Sequence, residues 1–308
     1  MARSVGKAFI AICGFGNTGT IKLGPAIWLP TIWLLFVFGC ALSADWWPLP
    51  PLDQMHWENL AAGPGTVSLS PLAAPNAADA NPYTIHLLGT DSVGRDILSR
   101  LLAGARVSLT VGLFSTLIGM VLGGGLGMLA GYYRGRIETI IVGAIDCILA
   151  FPTLVLLLTV THLLGASLFN ITLALGFVVI PAFCRVARAN TLKLSGLEFV
   201  QAAKAAGARD RSIILRELLP NVLIPLSVYA LVVAGFLIIA EGGLGFLGLS
   251  VPAPAPSWGG MVAEGQGVLK EAPHVSLIPM LVMFLTILSF NLLGDRLRSL
   301  TDVRESRL

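Results

Sequence analysis

Two carboxylates stand where apolar sequence rarely places them. Asp146 interrupts the run 137–164, and Glu241 interrupts the run 222–249. An ionisable group inside such a run costs at least a few kcal/mol unless it is paired or hydrated. Two readings follow: the carboxylates line or gate a polar path, or they hydrogen-bond between helices, with Arg185 the candidate partner of Asp146. His56, His86, His162 and His274 all fall toward one side of the chain. Imidazole suits Ni²⁺, but four scattered loop histidines are the plainer reading, so no metal site is assigned. Cys13, Cys40, Cys147 and Cys184 form no C-x-x-C and read as small apolar residues.

Two glycine motifs lack the context their chemistry requires. Gly243, Gly245 and Gly248 in "GGLGFLG" have dinucleotide-binding spacing, but no strand precedes them. "GFGNTGT", from Gly14, begins like a phosphate loop but has Thr20 where the lysine must be. No catalytic residue or cofactor site is assigned, and the chain is not expected to bind or hydrolyse ATP itself.

The elements that carry these residues are membrane spans. Apolar residues make up 55% of the 308-residue chain, charged residues only 12%, and mean hydropathy is +0.82. A soluble domain carries about twice that charge. Six runs are long enough to cross a hydrocarbon core: 25–44, 107–133, 137–164, 167–183, 222–249 and 275–293. Lipid leaves helices as the default, so the fold class is all-α with six transmembrane helices. A formal charge of +3 is too small to argue for nucleic acid, and the bilayer is the first partner.

Where the charge sits sets the orientation. Sixteen of the 20 Lys and Arg residues fall in the N-terminal tail, the turn near 134, the segment 185–216 and the C-terminal end. Only Arg95, Arg100, Arg106 and Lys270 fall outside them. This bias places both termini in the cytosol. Arg3 and Lys7 before "AFIAICGF" mimic a signal peptide, but no A-x-A-like cleavage site follows, and a start-anchor reading is preferred. Asp146 then lies ~13 Å from the cytosolic end of its span, and Glu241 near the outer end of its own.

One cytosolic segment stands apart. "SGLEFVQAAKAAGARDRSIILRELLPNV", 195–222, is basic and rich in helix formers. Gly207 should end a first short helix, and Pro220 should fit the first turn of the next span. Ile213, Ile214, Leu215, Leu218 and Leu219 form an apolar stripe. A solvated loop has no need of "AAKAAGA". Small residues let another protein's backbone approach, and Arg209, Arg211 and Arg216 offer charges to it.

The segment resembles the EAA loop of ABC-transporter permeases, which docks into the cleft of a cytosolic ATPase. Ala202, Ala203, Gly207, Leu219 and Pro220 match with the family's spacing. Gln201 stands where Glu is usual and Glu217 where Ile or His is usual, which puts any ionic contact of that Glu in question. The resemblance implies ATPase docking by Gln201, Ala202, Ala203, Gly207, Ala208, Leu219 and Pro220. "LGTDSVGRDILSRLLAGARVSLTVGL", "GFLGLSVPAPAPSWGGMV" and "FNLLGDRLRSLTDVR" resemble further signatures of the dipeptide/oligopeptide/nickel permease family, specifically its second, "C" subunit.

That resemblance implies a type I ABC-importer permease fold in a bacterial cytoplasmic membrane. The implied partners are a homologous second permease, two ATPase subunits or domains carrying ATP and Mg²⁺, and a substrate-binding protein. Di- or oligopeptides are the implied substrates, with nickel or a metal chelate the alternative. The implied mechanism is alternating access, driven by ATP and passed on through the EAA-like loop.

The expected organisation is a cytosolic tail, 1–24, a first span, 25–44, and an external segment, 45–106. A five-helix core follows, 107–298, with the coupling loop at 195–220 and an external loop at 250–274, and then a tail, 299–308. In the external segment, Gly89, Asp91, Gly94 and Asp96 should form a tight turn. "RDILSRLLAGAR" should be an interfacial helix with Arg95, Arg100 and Arg106 toward headgroups. In the proline-stiffened external loop, Trp258 is the expected interface anchor and part of a capture surface for the binding protein. The stretch 45–81 suggests no chemistry.

Overall fold

The computed structural model describes residues 25–69 and 83–305. The tail 1–24, with Cys13 and the glycine stretch 14–20, lies outside the described residues, as do 70–82 and 306–308, with Arg307. The first span is α1, Pro25–Ser43. A two-stranded antiparallel ribbon follows, β1, Thr66–Leu69, paired with β2, Tyr83–His86, in the register Val67 to Ile85. The ribbon was not foreseen from the apolar runs, since a pair of four-residue strands leaves little periodicity to read. The long helix α2 covers Ile97–Tyr133 and includes a π-segment at Gly119–Gly123.

The third expected span is broken. It consists of α3, Gly135–Leu149, and α4, Thr153–Leu164, bent by 79°. Pro152 stands at the break, and a proline disfavours helical geometry in the residue before it. Among the described residues five helices are therefore long and apolar enough to cross a membrane, and the bent pair makes a sixth only if it counts as one span. The remaining spans are α5, Leu168–Leu194, then α7, Asp210–Phe246, and α9, His274–Glu305. Two short helices punctuate them: α6, Glu198–Ala205, and α8, Trp258–Gly265. Asp96, Ser167 and Ser257 cap α2, α5 and α8 by accepting from Ser99 N–H (2.7 Å), Asn170 N–H (3.1 Å) and Gly260 N–H (3.0 Å).

Three boundaries move relative to the expectation. Span two starts at Ile97, so there is no separate interfacial helix before it. The second half of the coupling loop is the foot of α7, so Pro220 lies inside a continuous helix. The π-segment Ile213–Leu218 directly precedes it. Pro220 has no N–H to give and its ring crowds the preceding turn, and a π-segment is one way for a helix to absorb that misfit. The last helix runs well past 293, to Glu305.

The core is organised around α2 and α5. Gly119, Gly123, Gly127 and Gly131 recur every fourth residue along α2 and face α5. A Cβ on Gly123 would overlap the Ile180 carbonyl, and one on Gly127 the Cys184 carbonyl. The two backbones are in contact there, as small-residue seams allow in membranes. Phe183, Ile171, Leu175, Val222, Leu226 and Leu237 fill the space beside this seam. A second cluster, with Leu34, Ile97, Leu109, Ile238, Trp258 and Phe290, joins α1, α2, α7, α8 and α9. Trp33 Nε1 donates to Thr286 Oγ1 at 3.1 Å and ties α1 to α9.

The seam yields a direct test. Gly127→Val should destabilise the purified protein by about 1–3 kcal/mol or more, since an added side chain meets fixed backbone. Gly125→Ala should leave thermal unfolding unchanged, because its Cβ would meet nothing within 4 Å. Equal melting of the two variants would show that the seam is not under steric constraint.

Candidate functional site

The coupling segment is a folded unit. After α6, Gly207 takes φ +77°, Gly207 N–H donates to Lys204 O at 3.0 Å, and Ala208 N–H donates to Ala203 O at 3.0 Å. This pair of bonds is a Schellman cap, and it uses glycine because an L side chain is strained at that φ. Val200, Ile213, Ile214 and Leu218 form a small core of their own, with Tyr132 and Ala203 packed against it. Tyr132 O–H donates to Asp210 Oδ1 at 2.7 Å, and Lys204 Nζ lies 5.1 Å from the Tyr132 ring centroid. Arg134 donates to Ser195 Oγ at 3.3 Å, and Gln201 Nε2 to Ser195 O at 3.2 Å. The segment is thus pinned to the ends of α2 and α5.

What this leaves bare is specific. Gln201, Ala202, Gly207 and Ala208 are exposed, together with Arg209, Arg211 and Arg216. Leu197, Phe199 and Leu215 add exposed apolar surface. Ala203 is half-buried in the small core. Leu219 is half-buried against the main core, and Pro220 is exposed on α7. Of the apolar stripe read from the sequence, only Leu215 faces outward.

Asp146 and Arg185 meet as a pair. Arg185 Nη2 donates to Asp146 Oδ1 at 3.1 Å, from α5 to α3. Their side chains are 63% and 57% exposed in the single chain, so neither is an interior group. One helical turn along α5, Arg188 Nε donates to Glu138 Oε1 at 2.7 Å. Asp146, Arg185 and Arg188 border a cavity of about 370 Å³ lined also by Val142, Ile145 and Cys184. Cys40, Cys147 and Cys184 are free thiols.

Glu241 is different. It is wholly buried and accepts from Ser250 Oγ at 2.6 Å. Ser250 Oγ lies 3.1 Å from Ser257 Oγ, so one chain of polar groups links α7 to the cap of α8. The glycines beside it explain the decoy motif. Gly242 and Gly245 let α7 touch Gly259 and Gly260 of α8, and Gly248, at φ +72°, closes the helix end.

Arg95 and Arg100 are not headgroup anchors. Gly89 and Gly94, at φ +85° and +80°, do form the expected turn. Within it Asp91 accepts from Val93 N–H (2.9 Å), Arg95 N–H (2.9 Å) and Arg95 Nε (2.7 Å). Arg95 and Arg100 are 8% and 2% exposed, and each donates through Nη2 to Glu264 Oε2 at 2.7 Å. Arg106 reaches back to Asp45 Oδ1 at 2.7 Å and the end of α1. Arg95 and Arg100 share Glu264 of α8 as well as the nearby Asp91, and these carboxylates take the place of a wet interface. The Asp91–Arg95 spacing was visible in sequence, but Glu264, 169 residues beyond Arg95, was not.

Trp258 is also corrected. It is 0% exposed, and its Nε1 donates to Leu101 O at 3.0 Å. The indole lies against Gly104, whose missing side chain makes the room. Trp258 therefore fastens α8 to α2 and meets no headgroup, while Pro252, Ala253 and Pro254 form the exposed rim. The histidines have local roles. His86 Nδ1 lies 2.8 Å from Asp96 Oδ1 and its Nε2 3.0 Å from Ser68 Oγ, while His274 Nε2 lies 3.1 Å from Ala62 O. Among the described residues no three His, Cys, Asp or Glu side chains gather as metal ligands would.

With a helical bundle of this kind and a pinned, bare coupling segment in view, comparison places the chain. Residues 123–307 match the family described as "Binding-protein-dependent transport system inner membrane component". The chain is 43% identical over 221 residues to glutathione transport system permease protein GsiD of Pectobacterium atrosepticum, covering 72% of this chain and 73% of that one. It is 41% identical, with the same coverage, to the proteins of that name from Shigella dysenteriae and Escherichia coli. Its fold is similar to the methionine ABC transporter MetNI in inward-facing conformations, with a TM-score of 0.54, 20% identity, and coverage of 65% of this chain and 95% of that one. The chain belongs to the binding-protein-dependent permease family. It is a multi-span inner-membrane permease subunit of a bacterial ABC importer, with ATP hydrolysis on a separate subunit and no cofactor of its own.

The Glu241 contact can be tested alone. Glu241→Gln keeps an acceptor for Ser250 and should leave thermal unfolding of the complex within about 0.5 kcal/mol of wild type. Glu241→Ala should cost about 1–3 kcal/mol by orphaning buried polar partners. A Gln variant that unfolds as early as the Ala variant would show that charge, and not the hydrogen bond, holds the loop.

Proposed function

We propose that this chain forms half of a peptide-conducting pore, paired with a similar but non-identical permease. Two ATPase subunits or domains, holding ATP and Mg²⁺, dock on the coupling segment, and a binding protein delivers di- or oligopeptides from outside. The observation that carries the reading is the coupling segment: it is supported from within by its own small core and bare on its small-residue face. A surface built in this way suits rigid docking of a protein. Gln201, Ala202, Ala203, Gly207 and Ala208 supply the contact, and Leu219 and Pro220 fix its angle to α7. The peptide assignment is supported by the relatives, whose names give glutathione, itself a peptide, as their cargo. Nothing in those names favours nickel.

Asp146 and Arg185 are proposed to line the path. A pair this exposed at membrane depth is costly against lipid, so this face belongs to a hydrated lumen or to the second permease. Paired opposite charges also suit a zwitterionic peptide, which carries one of each. Glu241 acts on the path indirectly, by holding the loop that begins at Ser250.

Two experiments test these assignments. Ala202→Trp places bulk on an exposed position that packs against nothing inside the chain. Membrane insertion should be unchanged, while ATPase co-purification and coupled uptake should fall at least about tenfold, as for a core hot spot of an interface. Uptake at the wild-type level would sink the docking assignment. For orientation, single cysteines at Lys270 and Arg209, both exposed, are placed in a background lacking the native four. An impermeant thiol reagent on intact cells should label Lys270→Cys and spare Arg209→Cys. The reverse pattern would invert the topology.

A further inference from the structure

Of the five unbroken spans among the described residues, α1 is the least buried, and its exposure has a pattern. Leu34, Val37 and Ala41 are buried in the cluster that α1 shares with α2, α7, α8 and α9. Trp28, Leu29, Ile32, Leu35, Phe36 and Leu42 are all exposed. At about 3.6 residues per turn these six fall in one stripe, opposite the buried set. No charged residue lies on α1, and Thr31 Oγ1 is spent on Ile27 O at 2.8 Å.

Aromatic residues close the stripe at both ends. The helical course runs from Ile27 through a short 3-10 turn, Ala44–Trp46. Trp28 and Trp46 therefore stand about five turns apart on roughly the same face, ~27 Å along the axis. That is close to the ~30 Å of a hydrocarbon core, whose two borders are where Trp rings concentrate. Trp46 is 87% exposed. Its neighbour Asp45 holds Arg106 at 2.7 Å, so charge first appears at the depth where headgroups begin.

Side-chain size separates lipid from protein as the cover. At the α2–α5 seam, where backbones touch, every fourth residue of α2 is glycine. The α1 stripe is built of large side chains instead, and a Cβ on its one glycine, Gly39, would meet nothing within 4 Å. Such a surface holds another helix's backbone away and offers it no hydrogen bond, whereas acyl chains fill around it. We infer that the outward stripe of α1 is a lipid-facing edge of the assembled importer, with Trp28 in the inner headgroup layer and Trp46 in the outer one. The second permease then packs on another flank. The cluster beneath α1 contains no residue of α3 or α5, which leaves those helices, with Asp146 and Arg185, to the path.

The inference does not depend on which solute is carried, and it is tested in the complete complex of permeases and ATPases in nanodiscs. Nitroxides are attached to Trp28→Cys, Leu35→Cys and Trp46→Cys, each in a background lacking the native four cysteines, with Lys270→Cys as the aqueous reference. Relaxation by oxygen, which concentrates among acyl chains, is compared with relaxation by chromium oxalate, which stays in water. The oxygen-to-chromium ratio should be several-fold higher at Leu35→Cys than at Lys270→Cys, and intermediate at both tryptophan positions. Ile32→Cys, about one turn away on the same stripe, should repeat the Leu35→Cys result. Low access of both relaxants at Leu35→Cys and Ile32→Cys would overturn the inference, since the second permease would then cover the stripe. Chromium access there equal to that of Lys270→Cys would overturn it as well, by placing the stripe on a water-filled lumen. A Trp46→Cys ratio as low as the aqueous reference, or as high as Leu35→Cys, would refute the headgroup seat.

Discussion

Water does not squeeze helices together inside a bilayer, so backbone contact must do much of the work. In this chain that contact is the glycine seam of α2 against α5. Dispersion between closely placed backbones is weak per atom pair, and it accumulates only where no side chain intervenes. The seam's position decides what else is possible. Arg185 and Arg188 project from α5 beside the seam toward α3. Tyr132 and Arg134 end α2 at its foot, where they hold the coupling segment. The face proposed to line the path and the face proposed for docking thus share one support.

The opposite end follows another rule. There the chain holds two arginines out of water by surrounding them with carboxylates, one from the adjacent turn and one from α8. A buried ion cluster of this kind adds little net stability over an apolar replacement, but losing one member is expensive. Such clusters are better at fixing geometry than at adding strength. They set where the segment before α2 lies on α8.

Much of this was legible in the sequence. Apolar run length pointed to the five unbroken spans among the described residues, though not to all of their ends, because a bilayer imposes one dimension on all of them. The cap at Gly207 was readable because helix formers on both sides left one residue able to take a positive φ. The Asp146–Arg185 contact followed from the scarcity of partners at that depth. Partners brought together only by the fold were not legible. Arg100 looked like a headgroup ligand because Glu264 lies 164 residues away in sequence. Trp258 looked like an anchor because the glycine that accommodates it, Gly104, sits on another helix. The break between α3 and α4 was hidden because Pro152 in an apolar run is also common in unbroken membrane helices.

The continuity of α7 has a mechanical meaning. Its 37 residues, from Asp210 at the docking face to Phe246 beside Ser250, form one rod, ~55 Å long at the usual rise. Leverage is then a matter of arithmetic. Turning the foot by ~10° sweeps the far tip through roughly 10 Å, about the diameter of a helix with its side chains. The six-residue π-segment sits at the pivot end of this rod.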